Sequence, residues 1–201
     1  MPRPYSMAKR AKATDHTSRR IEAALTRLLG SRPYSSITTV EIAAEADVAV
    51  RTVQRHFRTK DDVLAACARF PQEVIVEAWG AEPPPRSAAD DLRWLVETMF
   101  ALYNEHTAEA WATFTRSQDV PVLEAAWNTA IATRAARIDE LLARWPNAWA
   151  IAQATARRLL LALTSFPAWL GLTDRERFSS TEAAEEVVYI LSQRLLRPSQ
   201  T

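Results

Sequence analysis

Glycine, cysteine and long apolar runs are scarce in this 201-residue sequence, and each scarcity excludes a class of protein. Three glycines leave little material for the tight turns of an antiparallel sheet, whereas alanine and leucine favour helix. Cys67 is the single cysteine, which excludes an internal disulfide and suits a reducing compartment. The longest aliphatic run, residues 159–163, is far below the roughly 18 residues of a membrane span. We therefore predict an all-α, cytoplasmic protein without a signal peptide or membrane span.

Motifs of enzymatic chemistry are also lacking. The sequence contains no nucleophile elbow, phosphate-binding loop or dinucleotide-binding glycine fingerprint. His16, His56 and His106 stand far apart, and Cys67 has no second cysteine with which to form a metal-binding pair. Acidic pairs such as residues 90–91 and 185–186 fit solvated helix faces. We predict no catalytic residues, no metal site and no cofactor.

Positive charge is concentrated at the amino-terminal end. Residues 1–60 hold 12 Arg and Lys against five Asp and Glu, a balance of 12 − 5 = +7. The remaining residues hold 13 basic and 19 acidic side chains, a balance of −6, so the net charge of +1 hides the asymmetry. A basic head on an acidic body indicates a polyanionic partner for the head, although an ordinary solvated surface is an open alternative.

Helix signals divide the chain into three parts. We interpret residues 1–13, which are polar, basic and proline-bearing, as a disordered arm. Residues 14–62 contain an amphipathic helix over 17–29, a capping box from Thr38 to Glu41, and two short helices over 39–45 and about 49–57. Only a tight turn fits between the short helices, which predicts a three-helix domain with a helix-turn-helix.

The remaining residues, 63–201, predict a second helical domain, for a total of about nine helices. Pro71 is expected to end or kink the helix that begins near residue 60, because proline lacks a backbone N–H. Further helices are expected over 87–106, 108–118, 121–145, 147–170 and 179–196.

The helix over residues 49–57 carries the side chains best suited to reading DNA. Val53 and Phe57 are four residues apart and are expected to face the protein, leaving Arg51, Gln54 and Arg55 outside together with Thr52. Arginine suits guanine and glutamine suits adenine in the major groove. Val50 either joins the core or meets a thymine methyl group. A solvated helix face is the alternative for all of these residues.

Residues 38–66, TTVEIAAEADVAVRTVQRHFRTKDDVLAA, resemble the amino-terminal motif of TetR-family regulators. Three positions depart from the family pattern: Asp47 replaces the glycine of the turn, Gln54 replaces a tyrosine, and Pro33 replaces a glycine. Aspartate tolerates the left-handed conformation, so we expect the turn to survive. The matching residues are Thr38, Ile42, Ala43, Ala46, Val48, Thr52, Val53, His56, Phe57, Lys60 and Leu64.

The resemblance implies phosphate contacts for Thr39, His56 and Lys60, although His56 can equally be a half-buried residue packed near Phe57. Lys60 is unfavourable at the amino end of its own helix, and a phosphate contact is a reason for its presence. The predicted DNA-binding residues are Thr38, Thr39, Val50, Arg51, Thr52, Gln54, Arg55, His56 and Lys60.

The resemblance further implies a carboxy-terminal ligand-binding domain, a homodimer formed through the last two long helices, and repression from a pseudo-palindromic operator. A small hydrophobic effector is expected to release the DNA. Control by a protein partner, or the absence of any effector, is the alternative. Aromatic side chains can line an apolar cavity for the effector or can form ordinary core. The predicted ligand-binding residues are Trp94, Phe100, Tyr103, Trp111, Phe114, Trp127, Phe166 and Trp169.

Overall fold

The computed structural model describes the backbone of residues 4–80 and 87–197, and the side chains of that part except residues 4–15 and 70–72. Within these ranges the chain forms ten α-helices and no strand, which confirms the predicted all-α class. The helices are α1 Pro4–Ser31, α2 Thr39–Glu45, α3 Val50–His56, α4 Lys60–Gly80, α5 Ala88–Glu105, α6 Thr107–Arg116, α7 Pro121–Arg144, α8 Gln153–Leu163, α9 Phe166–Leu170 and α10 Ser180–Leu195. None of the described helices is long and apolar enough to cross a membrane.

The chain divides into two compact units, and the division differs from the predicted boundary at residues 62 and 63. The first unit consists of Met1–Pro71 and Ala108–Asn128, and the second of Gln72–Thr107 and Thr129–Thr201. The first unit gains α6 and the start of α7 because their apolar side chains share one core with α1 to α4. Buried members of that core from outside the predicted domain are Val63, Leu64, Cys67, Ala112, Val120 and Leu123.

The amino-terminal helix is longer than the sequence predicts. α1 begins at Pro4, so residues 4–13 are helical instead of disordered, while residues 1–3 of the predicted arm lie outside the described residues. Proline is well tolerated in the first turn of a helix, and the Met, Ala, Lys and Arg residues that follow have high helix propensity. Farther along, Ile21, Leu25 and Leu29 are fully buried, as the predicted apolar stripe requires.

Proline has opposite outcomes at two positions. α4 continues through Pro71 to Gly80, so the helix does not end there, and the expected alternative, a kink at Pro71, stays a prediction. Proline lacks the N–H that would otherwise bond to the carbonyl of Cys67. The predicted long helix over 147–170 is instead broken. Ser165 caps α9 by accepting a hydrogen bond from the Ala168 N–H at 3.3 Å, and Pro167 cannot donate to the carbonyl of Leu163.

In the second unit, α5 and α10 form the most extensive helix pair. The inner face of α10 buries Val187, Val188 and Leu191, and the facing side of α5 buries Leu92 and Leu95. The predicted apolar face of α10 is therefore its face toward the core of this unit. The chain before α8 pairs with the end of α10, where the Ala150 N–H donates to the Leu195 carbonyl at 2.7 Å.

Candidate DNA-binding surface

The start of α2 is fixed by the capping box that the sequence predicts. The Thr38 hydroxyl accepts a hydrogen bond from the Glu41 N–H at 3.3 Å, and the Glu41 carboxylate accepts one from the Thr38 N–H at 2.8 Å. Arg32 adds an ion pair to Glu41 at 2.9 Å. The hydrogen bond from Arg32, followed by those from Thr38, lowers the pKa of Glu41 to about 2. This carboxylate therefore remains ionised well into the acid range.

The turn between α2 and α3 closes on Asp47. Its φ of 51° is left-handed, at the position where the TetR family has glycine, so the prediction that aspartate supports this turn is confirmed. The N–H of Val48 donates to Ala43 at 3.0 Å and the N–H of Asp47 donates to Ala44 at 3.1 Å. This pair of bonds is a Schellman motif, which ends α2 and sets the direction in which α3 begins.

Arginines from α1 hold the far end of α2. The Arg20 guanidinium donates to the carbonyls of Ala46 at 2.7 Å and Asp47 at 3.1 Å, and Arg27 forms an ion pair with Glu45 at 2.5 Å. Cations at the carboxyl end of a helix stabilise its dipole. The partners of these arginines lie 18 to 27 positions later in the chain, and no local sequence pattern identifies them. In the sequence the two arginines therefore contribute only to the net positive charge.

Helix α3 presents a polar face away from the core. Val53 is 1% exposed, and Val50 and Phe57 are partly buried against the same core. Arg51, Gln54 and Arg55 are exposed, and their side chains make no hydrogen bond or ion pair with the described part of the chain. Thr52 is half-buried between these two faces. The side chains that can read base edges therefore lie on one accessible surface.

Lys60 is held within the protein. Its ammonium donates to the carbonyls of Tyr34 at 2.9 Å and Ile37 at 2.7 Å, and lies 4.0 Å from the centroid of the Tyr34 ring. The Tyr34 hydroxyl donates in turn to Asp61. Two carbonyls and an aromatic ring stabilise the charge, so the lysine also has a structural reason to be at this position. Its DNA contact stays a prediction.

His56 lies at the carboxyl end of α3 and is half-buried. Its Nδ1 is 3.0 Å from the Ser18 hydroxyl of α1, and its Nε2 is buried without a partner among the described residues. Burial, followed by the charge of Arg55, lowers the pKa of His56. This geometry favours the neutral ring that packs α3 on α1, one of the two interpretations that the sequence leaves open. Thr38 is exposed and Thr39 half-buried at the start of α2.

The predicted ligand-binding aromatics fall into separate groups. In the first unit, the ring of Phe114 lies tilted beside those of Trp111 and Trp127, with centroids 6.5 and 5.4 Å away. The indole of Trp111 also donates to the Gly30 carbonyl at 3.3 Å, and a side chain at residue 30 would meet that indole. Neither unit contains all eight aromatics, so they do not line one cavity within either unit.

The other aromatics belong to the second unit. The ring of Tyr103 lies 5.4 Å from that of Phe166 and 6.0 Å from that of Trp169, while Trp94 pairs with Trp79 at 5.5 Å. Phe100 is buried. A cleft of about 600 Å³ opens between α5 and α10 in this unit, and Phe100 is the one member of the predicted set that lines it.

Comparisons with known proteins agree with these features. Residues 21–67, which run from the second half of α1 through the first two turns of α4, match the family model of bacterial regulatory proteins of the tetR family. A comparison with curated proteins gave no match.

Solved structures share the fold at low sequence identity. A tetR-family regulatory protein from Rhodococcus RHA1 aligns with a TM-score of 0.69 and 18% identity, covering 91% of this chain and 98% of that chain. The regulator FadR from Bacillus subtilis, in complex with stearoyl-CoA, aligns with a TM-score of 0.66 and 16% identity, covering 86% and 96%. A transcriptional regulator from Saccharomonospora viridis, in complex with choline, aligns with a TM-score of 0.68 and 18% identity, covering 92% of this chain and 100% of that chain.

Proposed function

We propose that this chain is a regulator of the tetR family, whose model its residues 21–67 match, and that it represses transcription by binding a pseudo-palindromic operator as a homodimer. We further propose that a small apolar ligand releases the operator. The observation that carries the DNA-binding part is the surface of α3, on which Arg51, Gln54 and Arg55 are exposed and unbonded to the described chain. A helix held by its apolar face, with donors on the other, fits the major groove.

Each exposed side chain of α3 has a specific complement in DNA. Arginine donates two hydrogen bonds to O6 and N7 of guanine, and glutamine makes a matched pair with adenine, so Arg51, Arg55 and Gln54 are the proposed base readers. Thr52 and the edge of Val50 reach the groove from the sides of the helix. Thr38 and Thr39, at the start of α2, are proposed phosphate contacts, which position the protein without reading sequence.

The proposed dimer interface is the outer face of α10 together with α8. Tyr189 and Ile190 are 63% and 51% exposed on the side of α10 opposite to its buried face. Adjacent large apolar side chains that are exposed are typical of interaction surfaces. A two-fold axis through this face would present two copies of α3 to successive major grooves, about 34 Å apart.

The proposed ligand site lies in the second unit. Its support is the group of aromatic side chains around Tyr103, together with the acyl chain and the choline that the two similar structures carry. A site of this kind would give the regulator a chemical input. Retention of DNA in the presence of every apolar ligand tested would favour control by a protein partner instead.

Selection of bound fragments from a random double-stranded DNA library tests the proposal. We expect a pseudo-palindromic motif whose half-sites are about one helical turn apart, bound by a dimer in sedimentation equilibrium. Ile190→Glu is expected to give a monomer with weak DNA binding, whereas Gln118→Glu, at an exposed position outside α8 and α10, is a matched control for added charge. Enrichment of no motif, or of an asymmetric motif bound by a monomer, would contradict the proposal.

A reporter assay tests the sign of regulation. The selected motif, placed before a reporter gene, should give higher expression when the regulator is absent. Lower expression in its absence would identify an activator instead of a repressor.

A further inference from the structure

Three arginines project from one side of α7 in the second unit. Arg134, Arg137 and Arg144 are three and seven residues apart, a spacing that places them on one helical face. Arg134 is 8% exposed and Arg137 is 3% exposed, although arginine is almost never fully buried unless it is paired. They differ in whether a carboxylate of the described residues lies within ion-pair distance of the guanidinium.

Arg137 and Arg144 share the carboxylate of Asp91. The Arg137 guanidinium donates to it at 2.6 Å, Arg144 donates at 2.8 Å, and the Trp145 indole N–H completes the set at 3.1 Å. The Asp91 side chain is fully buried. This cluster supplies its own counter-ion, as a buried cation requires.

Arg134 has only neutral partners among the described residues. Its Nη1 donates to the Tyr103 hydroxyl and the Thr164 carbonyl, both at 3.0 Å, and its Nη2 donates to the Leu161 carbonyl at 3.2 Å. Its Nε is closed to solvent and has no hydrogen-bond partner in the described part of the chain. No carboxylate is within ion-pair distance of this guanidinium in that same part.

The neutral partners compensate the charge only in part. The carbonyls of Leu161 and Thr164 belong to the carboxyl end of α8, where the helix dipole contributes roughly half a negative charge. Tyr103 adds none, because burial raises the pKa of its hydroxyl and keeps it protonated. Burial of an incompletely compensated cation is unfavourable, so an anion beside Arg134 would stabilise it.

Arg134 has an unused Nε–H beside Nη2, which carries two hydrogens and makes one hydrogen bond, to Leu161. In a guanidinium, the Nε–H and one Nη2–H point in parallel, and this edge binds both oxygens of a carboxylate. The rings of Phe166 and Trp169 lie beside Tyr103, whose hydroxyl accepts from Arg134, and they supply an apolar surface.

We propose that the ligand of the second unit is a carboxylic acid with an apolar body, whose carboxylate pairs with the Nε and Nη2 edge of Arg134. This inference rests on the proposed function and specifies its ligand. Because the Nε atom is closed to solvent, the acid must displace neighbouring chain as it binds. The nearest irregular segment is the break at Thr164 and Ser165, to which Arg134 is bonded.

Two acids, each paired with its uncharged alcohol, test the inference on the full chain without DNA. Dodecanoate is compared with dodecanol, and naphthoate with naphthol, by tryptophan fluorescence titration and by thermal shift at neutral pH. We expect at least one acid to bind at least about tenfold more tightly than its alcohol. Equal affinity within both pairs, or no binding by any of the four compounds, would overturn the inference.

Variants of α7 locate the charge. Arg134→Met should bind the acid no better than the alcohol. Arg144→Met is the matched control and should keep the wild-type preference, because Asp91 retains Arg137 and Trp145. If Arg134→Met does not fold, Arg134→Lys is the second test. Lysine keeps the positive charge but lacks the two parallel N–H groups, so the preference for the acid over its alcohol should shrink. An unchanged preference in the folded variant would assign the acid to another site.

The outcomes for this inference and for the proposed function can be distinguished. Preferential binding of the acid at Arg134 without release of the selected operator would support this site and contradict the inducer role. Release of the operator by an uncharged ligand, with no preference for acids, would contradict this inference alone.

Discussion

Helices α1 and α3 both carry arginines in the basic amino-terminal unit, yet the structure uses them differently. Arg20 and Arg27 of α1 are bonded to the carboxyl end of α2, where they hold the turn. Arg51 and Arg55 of α3 are exposed and have no partner in the described chain. The difference arises from position. The arginines of α1 lie beside backbone carbonyls at the end of α2, whereas α3 packs its apolar side on the core and exposes its arginines to solvent.

Net charge by itself therefore overstates the positive surface available to DNA. Among the basic side chains described between residues 16 and 60, Arg20, Arg27, Arg32 and Lys60 are bonded inside the unit. The other half are exposed and unbonded in the described region: Arg19, Arg51, Arg55 and Arg58. We infer that the first group builds the helix-turn-helix and that the second group is available to contact DNA.

The largest effect is expected from Arg51→Ala, which removes a presented arginine. Loss of a bidentate guanine contact costs about 1–3 kcal/mol, or roughly 5- to 150-fold in affinity for the selected operator, with little change for unrelated DNA. The melting temperature should hardly move, because the side chain has no intrachain bond. Gel shifts with specific and scrambled DNA measure this. Normal affinity for the operator would remove Arg51 from the base readers.

Lys60→Ala should act mainly on stability. It leaves the carbonyls of Tyr34 and Ile37 without a charged donor and removes the contact with the Tyr34 ring, a loss of about 1–2 kcal/mol. Urea unfolding measures it. An unchanged midpoint of urea unfolding would contradict a stabilising role for the contacts of Lys60 with Tyr34 and Ile37. A salt dependence of DNA binding reduced by about one unit in the same variant would support the phosphate contact that the family resemblance implies.

Arg20→Ala should reverse the pattern of Arg51→Ala. Two carbonyls at the end of α2 lose their donor, and we expect a loss of stability of about 1 kcal/mol because the site is partly exposed. Affinity for specific and scrambled DNA should fall together, since the turn that orients α3 loosens. A selective loss for the operator alone would show that Arg20 reads DNA instead of holding the turn.

The smallest expected effect is on the stability of the protein at low pH. The pKa of Glu41 is lowered from its ordinary 4.5 to about 2, so the carboxylate contributes stability that is present above pH 4.5 and is lost as the pH falls toward 2. Glu41→Gln should flatten this part of the stability curve. The lowered pKa of His56 has the same sign, and its effect begins as the pH falls below the ordinary value of 6.5. Equal acid dependence in the variant and the wild type would contradict the role of Glu41.

Features that depend on neighbouring residues could be predicted from the sequence. The capping box at Thr38, the limits of α2 and α3, and the left-handed Asp47 follow from interactions within about five residues, for which sequence spacing is sufficient. The burial of Val53 follows from helical period in the same way. The sequence by itself therefore determined the all-α class, the helix-turn-helix and which face of α3 is apolar.

Longer-range relations depended on the packing of whole helices. The helicity of residues 4–13 and the break before α9 are balances between propensity and context that pattern reasoning misjudged. Only the tertiary structure decided that Arg20 and Lys60 serve the fold, and that Arg134 is buried without a carboxylate where Arg137 has one. The partners of these side chains lie roughly 20 to 50 residues away, and nothing in local spacing specifies which distant groups a folded core brings together.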